Sequence, residues 1–134
     1  MGLVTPTTEH GYCSFALTGQ VDHAAGASVG HILNPEGVAI IITKCIAYTT
    51  ANSTGGADLT IGYAATATLA HDTHELFDAA ALAAAVGTAI VGHATGDPAD
   101  SLAVVPATNY IVACTSADSS GFTGRAYIEY VRVG

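Results

Sequence analysis

Residues 26–30 (GASVG) match G-x-S-x-G, the motif that presents the nucleophilic serine of many hydrolases on a strand-to-helix turn. Asp78 and His93 follow in the order that a Ser-Asp-His triad of that kind requires. The motif works only where a strand precedes the serine and a helix follows it. Here a loop precedes Ser28, and residues 29–33 have the composition of a short strand. Because the chain contains 15 glycines, such a match arises easily, and we predict no catalytic residue here.

A second group of reactive side chains comprises His71, Asp72, His74 and Glu75. Two histidines three positions apart on a helix share a face, so His71 and His74 are candidate ligands for zinc or nickel. The alternative is the start of a capped helix with its polar residues in solvent, because Asp72 and Glu75 have the capping-box spacing. No third ligand follows at a recognisable spacing. We therefore favour the alternative and expect no metal and no cofactor.

The three cysteines, Cys13, Cys45 and Cys114, are odd in number and far apart. Neither a disulfide framework nor a C-x-x-C zinc motif fits this arrangement. We expect all three to be reduced and to behave as small buried hydrophobic residues, in a protein made in a reducing cytoplasm.

The charge balance is strongly acidic, with 3 basic and 11 acidic residues and a formal net charge of −8. Binding to nucleic acid or to an anionic membrane requires clustered lysines and arginines, so neither partner is expected. The N-terminus has no basic and apolar regions of a signal peptide, and residues 79–95 are too weakly apolar for a membrane span. With 50% hydrophobic but only 10% charged residues, part of the surface is expected to be covered by a partner.

Alternating and β-branched segments predict an all-β domain built around a central hairpin, residues 37–50 and 57–64. In the second of these strands Leu59, Ile61 and Tyr63 are predicted to face the core, with the opposite face in solvent. Further strands are predicted at residues 12–20, 29–33, 101–105, 108–115 and 124–133. About seven or eight short antiparallel strands separated by turns are typical of a β-sandwich or jelly roll.

One helical insert is predicted between about residues 72 and 87, where the capping-box spacing precedes an alanine-rich run. An irregular crossing between two sheets, with only its first turn helical, is the alternative. Residues 1–11 are expected to form an extended N-terminal arm that becomes ordered on docking, and residues 12–134 to form a single domain.

The last predicted strand mixes aromatic and charged residues on both faces, with Tyr127 on one and Tyr130 and Arg132 on the other. Tyrosine and arginine are enriched at protein interfaces. We therefore predict that Tyr127, Tyr130 and Arg132 lie at or near a subunit contact.

Three segments carry a resemblance to a known family: residues 48–62 (YTTANSTGGADLTIG), 109–118 (NYIVACTSAD) and 121–131 (GFTGRAYIEYV). Their strand order and turns resemble those of the jelly-roll decoration, or cement, proteins on the capsid exterior of tailed bacteriophages. The resemblance implies a homotrimer in the virion, assembled in the host cytoplasm and bound to the major capsid protein or another virion protein. It also implies that the N-terminal arm contacts the shell or a neighbour. The alanine-rich residues 79–90 depart from this pattern.

Other functions stay open beside this one. A tail or fibre-associated subunit of the virion fits the same resemblance. A small carbohydrate-binding jelly roll would require exposed aromatic residues with carboxylates or amides around a groove. The absence of tryptophan, with six tyrosines and three phenylalanines, favours a structural virion protein over both this module and an enzyme.

Overall fold

The computed structural model of the protein describes residues 9–21, 28–54, 57–67, 77–81, 87, 89–92 and 104–133. Every regular element in these ranges is a β-strand, which confirms the all-β prediction for this part of the chain. The nine strands are β1 (His10–Thr18), β2 (Ser28–Leu33), β3 (Ile40–Ala51), β4 (Asp58–Ala64), β5 (Phe77–Ala81), β6 (Ala89–Gly92), β7 (Val104–Val105), β8 (Tyr110–Thr115) and β9 (Thr123–Arg132). In the described part of the chain, no helix is long and apolar enough to cross a membrane.

The strands form two antiparallel sheets whose pairing is nested along the chain. The first sheet has the order β1-β9-β3-β6, with the short β7 also paired to β3. The second has the order β2-β8-β4-β5. The first strand thus pairs with the last, the second with the eighth, and β4 with β5, so most contacts join residues far apart in sequence.

Alternation along the strands places one side of each sheet in a common hydrophobic core. In β1 the buried residues are Phe15 and Leu17, as the sequence predicts, and in β9 they are Ala126, Ile128 and Tyr130. The same core contains residues of the second sheet, namely Val29, Leu59, Ile61, Ile111 and Ala113. Because both sheets contribute to one cluster, this core holds them together.

The outer side of the second sheet is less exposed than the sequence suggests. In β4 Leu59 and Ile61 are buried, as predicted, but Thr60 and Gly62 on the opposite side are buried too. The prediction of a solvated face for this strand is therefore wrong. A second small cluster of Ala64, Val112 and Cys114 lies on this side.

The predicted helical insert is wrong for Phe77–Ala81, which form the edge strand β5. The backbone of β5 pairs with β4, with Leu59 opposite Ala80 and Ile61 opposite Phe77. Alanine has high helix propensity, but the backbone hydrogen bonds available at a sheet edge override a local preference of this size. Residues 72–76 lie outside the described residues.

At the N-terminus β1 begins at His10, two residues before the predicted strand. His10 and Gly11 pair with Val131 and Tyr130 of β9, and the Glu9 carbonyl accepts a hydrogen bond from the Arg132 amide (2.6 Å). The last three residues assigned to the arm are thus bonded to or paired with β9, while residues 1–8 lie outside the described part of the chain.

Candidate interaction surface

The outer side of the first sheet carries the candidate site. Three adjacent strands, β1, β9 and β3, place their residues in transverse rows: Tyr12, Glu129 and Lys44; Ser14, Tyr127 and Ile46; Ala16, Arg125 and Tyr48. We name this surface the β1–β9–β3 face. Tyr12 is 75% exposed and Tyr127 46% exposed, so two aromatic rings on neighbouring strands lie in solvent.

A shallow open depression of about 340 Å³ lies at the middle of this face. Tyr12, Ile46 and Tyr127 supply its apolar lining, and Lys44 and Glu129 supply one charge of each sign. Exposed tyrosines combined with a few charged groups are typical of protein interfaces and of binding surfaces in general. The arrangement contains no acid–base or nucleophilic pair in hydrogen-bond contact, so what it offers chemically is recognition.

A β-bulge in β3 sets which side chains reach this face. The register with β9 shifts between Ile42 and Lys44, so that Thr43 is the extra residue. The Thr43 hydroxyl donates to the Glu129 carbonyl (3.0 Å), which closes the bulge. As a result Ile42 stays buried while Lys44 lies exposed opposite Glu129.

The three residues predicted at the subunit contact lie in different environments. Tyr127 is on the exposed face, whereas Tyr130 is in the core with only 2% of its surface exposed. The Tyr130 ring lies against Gly11, where a side-chain Cβ would collide with it. In this chain Tyr130 therefore offers almost no surface to a partner. Arg132 is about one-third exposed and is the last residue of β9, where it bonds to Glu36.

A polar cluster at the end of β9 consists of Glu36, Tyr130 and Arg132. The Tyr130 hydroxyl donates to Glu36 Oε1 (2.7 Å), and Arg132 Nη2 lies 2.8 Å from the same oxygen. The Arg132 hydrogen bond, followed by that of Tyr130, lowers the pKa of Glu36. Burial, followed by the hydrogen bond to Glu36, raises the pKa of Tyr130 to about 12. Arg132 Nη1 also donates to the His10 carbonyl (3.0 Å), so the cluster joins β9 to β1 and to the loop after β2.

Asn34 holds the loop that carries Glu36. Its side chain is 4% exposed, and its Nδ2 donates to the carbonyls of Val38 (3.1 Å), Val105 (3.2 Å) and Pro106 (3.0 Å). Its Oδ1 accepts a hydrogen bond from the Glu36 amide (2.9 Å). A buried amide with this many partners fixes a loop, because moving the loop would break several hydrogen bonds at a largely buried site.

The structure gives no support to the catalytic serine motif that the sequence suggested. Ser28 begins β2, and its hydroxyl bonds to the carbonyl and amide of Gly30, so it lies in a strand instead of a strand-to-helix turn. His71, His74 and His93 lie outside the described residues. Within the described ranges no three histidine, cysteine, aspartate or glutamate side chains cluster as metal ligands would.

Cys13, Cys45 and Cys114 form no disulfide bond in the structure. Cys45 and Cys114 are buried and Cys13 is partly buried. Burial raises the pKa of Cys45 to about 12 and that of Cys13 to about 11. These thiols therefore stay protonated at neutral pH and have the character of small hydrophobic residues.

Sequence reasoning missed most of the β1–β9–β3 face, because Tyr12, Lys44 and Ile46 meet β9 only through long-range pairing. A signal does exist in the sequence. The three basic residues all lie in β3 and β9, and this concentration marks the surface once the two strands are known to be neighbours.

Comparison with known proteins gives one fold similarity. No family model matches the chain, and no curated protein matches it. Among solved structures, a chain of the cyanophage Pam1 capsid asymmetric unit is similar, with a TM-score of 0.53 and 18% sequence identity. The similarity covers 99% of this chain and 94% of that chain. At this level of identity the comparison establishes that the two chains share a fold over almost their whole lengths.

Proposed function

We propose that the protein is a structural virion protein that decorates and stabilises the outer shell of a bacteriophage capsid. The observation that carries the proposal is the fold similarity to a chain of the cyanophage Pam1 capsid asymmetric unit, which spans nearly all of both chains. Fold alone does not determine function, so the proposal also draws on the sequence resemblance to capsid decoration proteins and on the β1–β9–β3 face.

The proposed architecture is a jelly-roll sandwich. The proposal is supported by the strand orders β1-β9-β3-β6, in the five-stranded sheet, and β2-β8-β4-β5, in the four-stranded sheet, because their nested pairing is that expected of a long hairpin folded over on itself. One hydrophobic core with residues from both sheets supports a sandwich. In this interpretation β7 is an additional short strand beside β3.

The proposed assembly is a homotrimer bound to the major capsid protein or another virion protein on the capsid exterior, formed in the host cytoplasm. The number three and the capsid partner come from the resemblance to capsid decoration proteins. The low proportion of charged residues, 10%, and the exposed tyrosines of the β1–β9–β3 face support only that some surface is shared with a partner. Tyr127 remains a proposed contact residue on this face. Arg132 is proposed near the contact, and Tyr130 only as a buried support for Arg132 through Glu36.

The decisive experiment is attachment to capsids. The purified protein is mixed with capsids assembled from candidate phage shell proteins without it, and the particles are sedimented. We expect saturable co-sedimentation. A variant lacking residues 2–8, which spares β1 and the Glu9 carbonyl, is expected to attach more weakly while keeping its oligomeric mass. Protein that stays in the supernatant at all concentrations would contradict the decoration proposal; binding to isolated tails instead would favour a tail or fibre-associated subunit.

A carbohydrate-binding module is the second candidate, because exposed Tyr12 and Tyr127 lie beside the Glu129 carboxylate around an open depression. Sugar rings stack on aromatic faces while carboxylates accept hydrogen bonds from their hydroxyl groups. Chemical-shift perturbation with a panel of neutral oligosaccharides separates the two functions. Perturbation confined to these residues would favour the module, and no perturbation would leave the structural role.

A further inference from the structure

Opposite charges lie on either side of Tyr127 on the β1–β9–β3 face. In β9 Arg125 precedes Tyr127 by two residues and Glu129 follows it by two, so the three side chains share the outer side of the strand. Arg125 donates through Nε to the Ser14 hydroxyl (3.2 Å), and within the described ranges neither Arg125 nor Glu129 forms an ion pair. Both charges can therefore pair with groups of another chain.

The neighbouring strand β3 has a similar arrangement. Lys44 and Tyr48 are exposed and lie two positions before and after Ile46, which pairs with Tyr127. A lysine ammonium is attracted to the face of a tyrosine ring, so Lys44 and Tyr48 are also complementary groups. On both strands such groups lie at equal distances from the central row of the face, which consists of Ser14, Tyr127 and Ile46.

We propose that two copies of the chain bind each other through the β1–β9–β3 face, about a two-fold axis parallel to the central row. Rotation about this axis keeps each strand opposite its own counterpart and exchanges the two ends of the face. Arg125 of each copy then lies opposite Glu129 of the other, and Lys44 of each copy opposite Tyr48 of the other. The face is thus complementary to itself, as a two-fold contact requires.

The charges select this axis over an axis along the strands. An axis along β9 would place Arg125 opposite Arg125 and Glu129 opposite Glu129, and like charges held together cost free energy. About the proposed axis, Tyr127 and Ile46 meet their own counterparts, and the open depression of about 340 Å³ that they line gives these side chains room to interdigitate. The strands of the two copies stay nearly aligned, as they do in packed sheets.

The contact is small, because each copy contributes three rows of three side chains. A stable complex uses about 20–30 residues a side, so we expect free chains to pair weakly. A three-fold ring uses two different surfaces of each copy, so a two-fold contact through one face would join copies of different trimers in the proposed assembly. Several such contacts would then act together. The inference goes beyond the proposed function, since it concerns contacts between copies and needs no capsid.

Cross-linking tests the position of the axis. In Ile46→Cys the new thiols of two copies face each other across about 10 Å, the spacing of packed sheets, and a short bismaleimide should join them. Tyr48→Cys is the matched control, because Tyr48 is exposed on the same strand but two residues from the axis, which adds about 13 Å along the strands. We expect at least about tenfold more product of twice the chain mass from Ile46→Cys, since the cross-linker reaches only that pair. The parent, whose cysteines are buried or partly buried, gives the background.

Charge reversal in the Ile46→Cys chain tests the pairing. Arg125→Glu places like charges opposite each other at both ends of the face, and so does Glu129→Arg, so each should lower the yield about tenfold or more. The double variant Arg125→Glu/Glu129→Arg keeps the net charge of −8 and restores both pairs, so its yield should recover. A mixture of the two single variants should also recover, as a product that contains one chain of each.

Circular dichroism and thermal melting of each variant separate loss of the contact from loss of the fold. Equal yields from Ile46→Cys and Tyr48→Cys would overturn the proposal, and so would folded single reversals with an unchanged yield or a double variant that does not recover. If Ile46→Cys gives no excess dimer while Tyr127→Ala abolishes attachment to capsids, the face contacts the shell instead and the proposal is wrong. A dimer from chains that do not attach to capsids would support it and remove only the decoration proposal.

Discussion

Replacing Asn34 should destabilise the protein more than most single substitutions, because its side chain holds four backbone groups. In Asn34→Ala the carbonyls of Val38, Val105 and Pro106 and the Glu36 amide lose the bond to this side chain, and of these the Pro106 carbonyl keeps the hydrogen bond that it accepts from the Asn109 amide (3.1 Å). A buried polar group left unpaired costs about 1–3 kcal/mol, and only part of this site is closed to water, so we expect a loss of about 3 kcal/mol. For a domain of this size that corresponds to a fall in Tm of about 10 °C.

Asn34→Asp keeps the shape of the side chain and replaces the amide nitrogen with oxygen. An ionised carboxylate would then face three carbonyl oxygens that now lie 3.0–3.2 Å from Nδ2. Burial and these oxygens should raise the pKa of the new carboxyl above its value of about 3.9 in the unfolded chain. A raised pKa means that the folded state binds the proton more tightly, so stability falls as pH rises through about 3.9, and the full penalty is present above the folded-state pKa.

The assay is urea unfolding of the parent, Asn34→Ala and Asn34→Asp at pH 4 and pH 8, with each variant compared with the parent at the same pH. The Asn34→Ala deficit should be nearly equal at both values. The Asn34→Asp deficit should be larger at pH 8, by about 1.4 kcal/mol for each unit by which the pKa is raised. Equal Asn34→Asp deficits at both pH values, or an Asn34→Ala deficit below about 0.5 kcal/mol, would show that the amide does not hold these carbonyls.

Three further predictions concern single groups. The Thr49 hydroxyl is buried and has no hydrogen-bond partner among the described residues, so Thr49→Val should leave stability unchanged or raise it by about 1 kcal/mol in urea unfolding; a clear loss would reveal a partner. The pKa of Glu36 is lowered, so the ionised carboxylate stabilises the fold above the ordinary glutamate pKa, and this stabilisation is lost as pH falls through the folded-state pKa. Glu36→Gln should therefore cost less stability at pH 3 than at pH 7. An equal cost at both pH values would show that the charge of Glu36 does not stabilise the protein. Alkylation of the cysteine thiols at pH 8 should be more than about a hundredfold slower in the folded than in the unfolded protein. The intact mass of the unfolded protein should then show three adducts. Fast labelling of the folded chain would contradict the burial of Cys13, Cys45 and Cys114.

Local sequence pattern predicts most strands of this protein to within a few residues. The strands predicted at 12–20 and 124–133 are His10–Thr18 and Thr123–Arg132 in the structure. The first alternates between apolar and polar residues and the second is rich in β-branched and aromatic residues, and both are local signals that need no knowledge of the partner strand. The segment Phe77–Ala81 lacks that alternation, and its strand conformation depends on pairing with β4, which no local pattern contains.

The candidate surface was harder to predict, because both faces of β9 carry aromatic and charged residues. The sequence places Tyr127 and Tyr130 on opposite faces of the strand but does not show which of them faces the core. Two distant residues decide this: Gly11 leaves room for the Tyr130 ring, and Glu36 accepts the hydrogen bond of its hydroxyl. Neither Gly11 nor Glu36 is near Tyr130 in sequence, so only the long-range pairing identifies Tyr127 as the exposed member.

The same pairing separates two regions through which the proposed assembly can make contacts. The N-terminal arm joins the domain at Glu9, where Arg132 binds the Glu9 and His10 carbonyls and Glu36, at the edge of the first sheet. The β1–β9–β3 face is centred on Tyr127, five residues earlier in β9, and a residue in a strand advances the chain by about 3.3 Å. The arm's attachment point therefore lies about 16 Å from the middle of the face. At that separation a partner on the β1–β9–β3 face and a second partner beside Glu9 can contact the same copy at once.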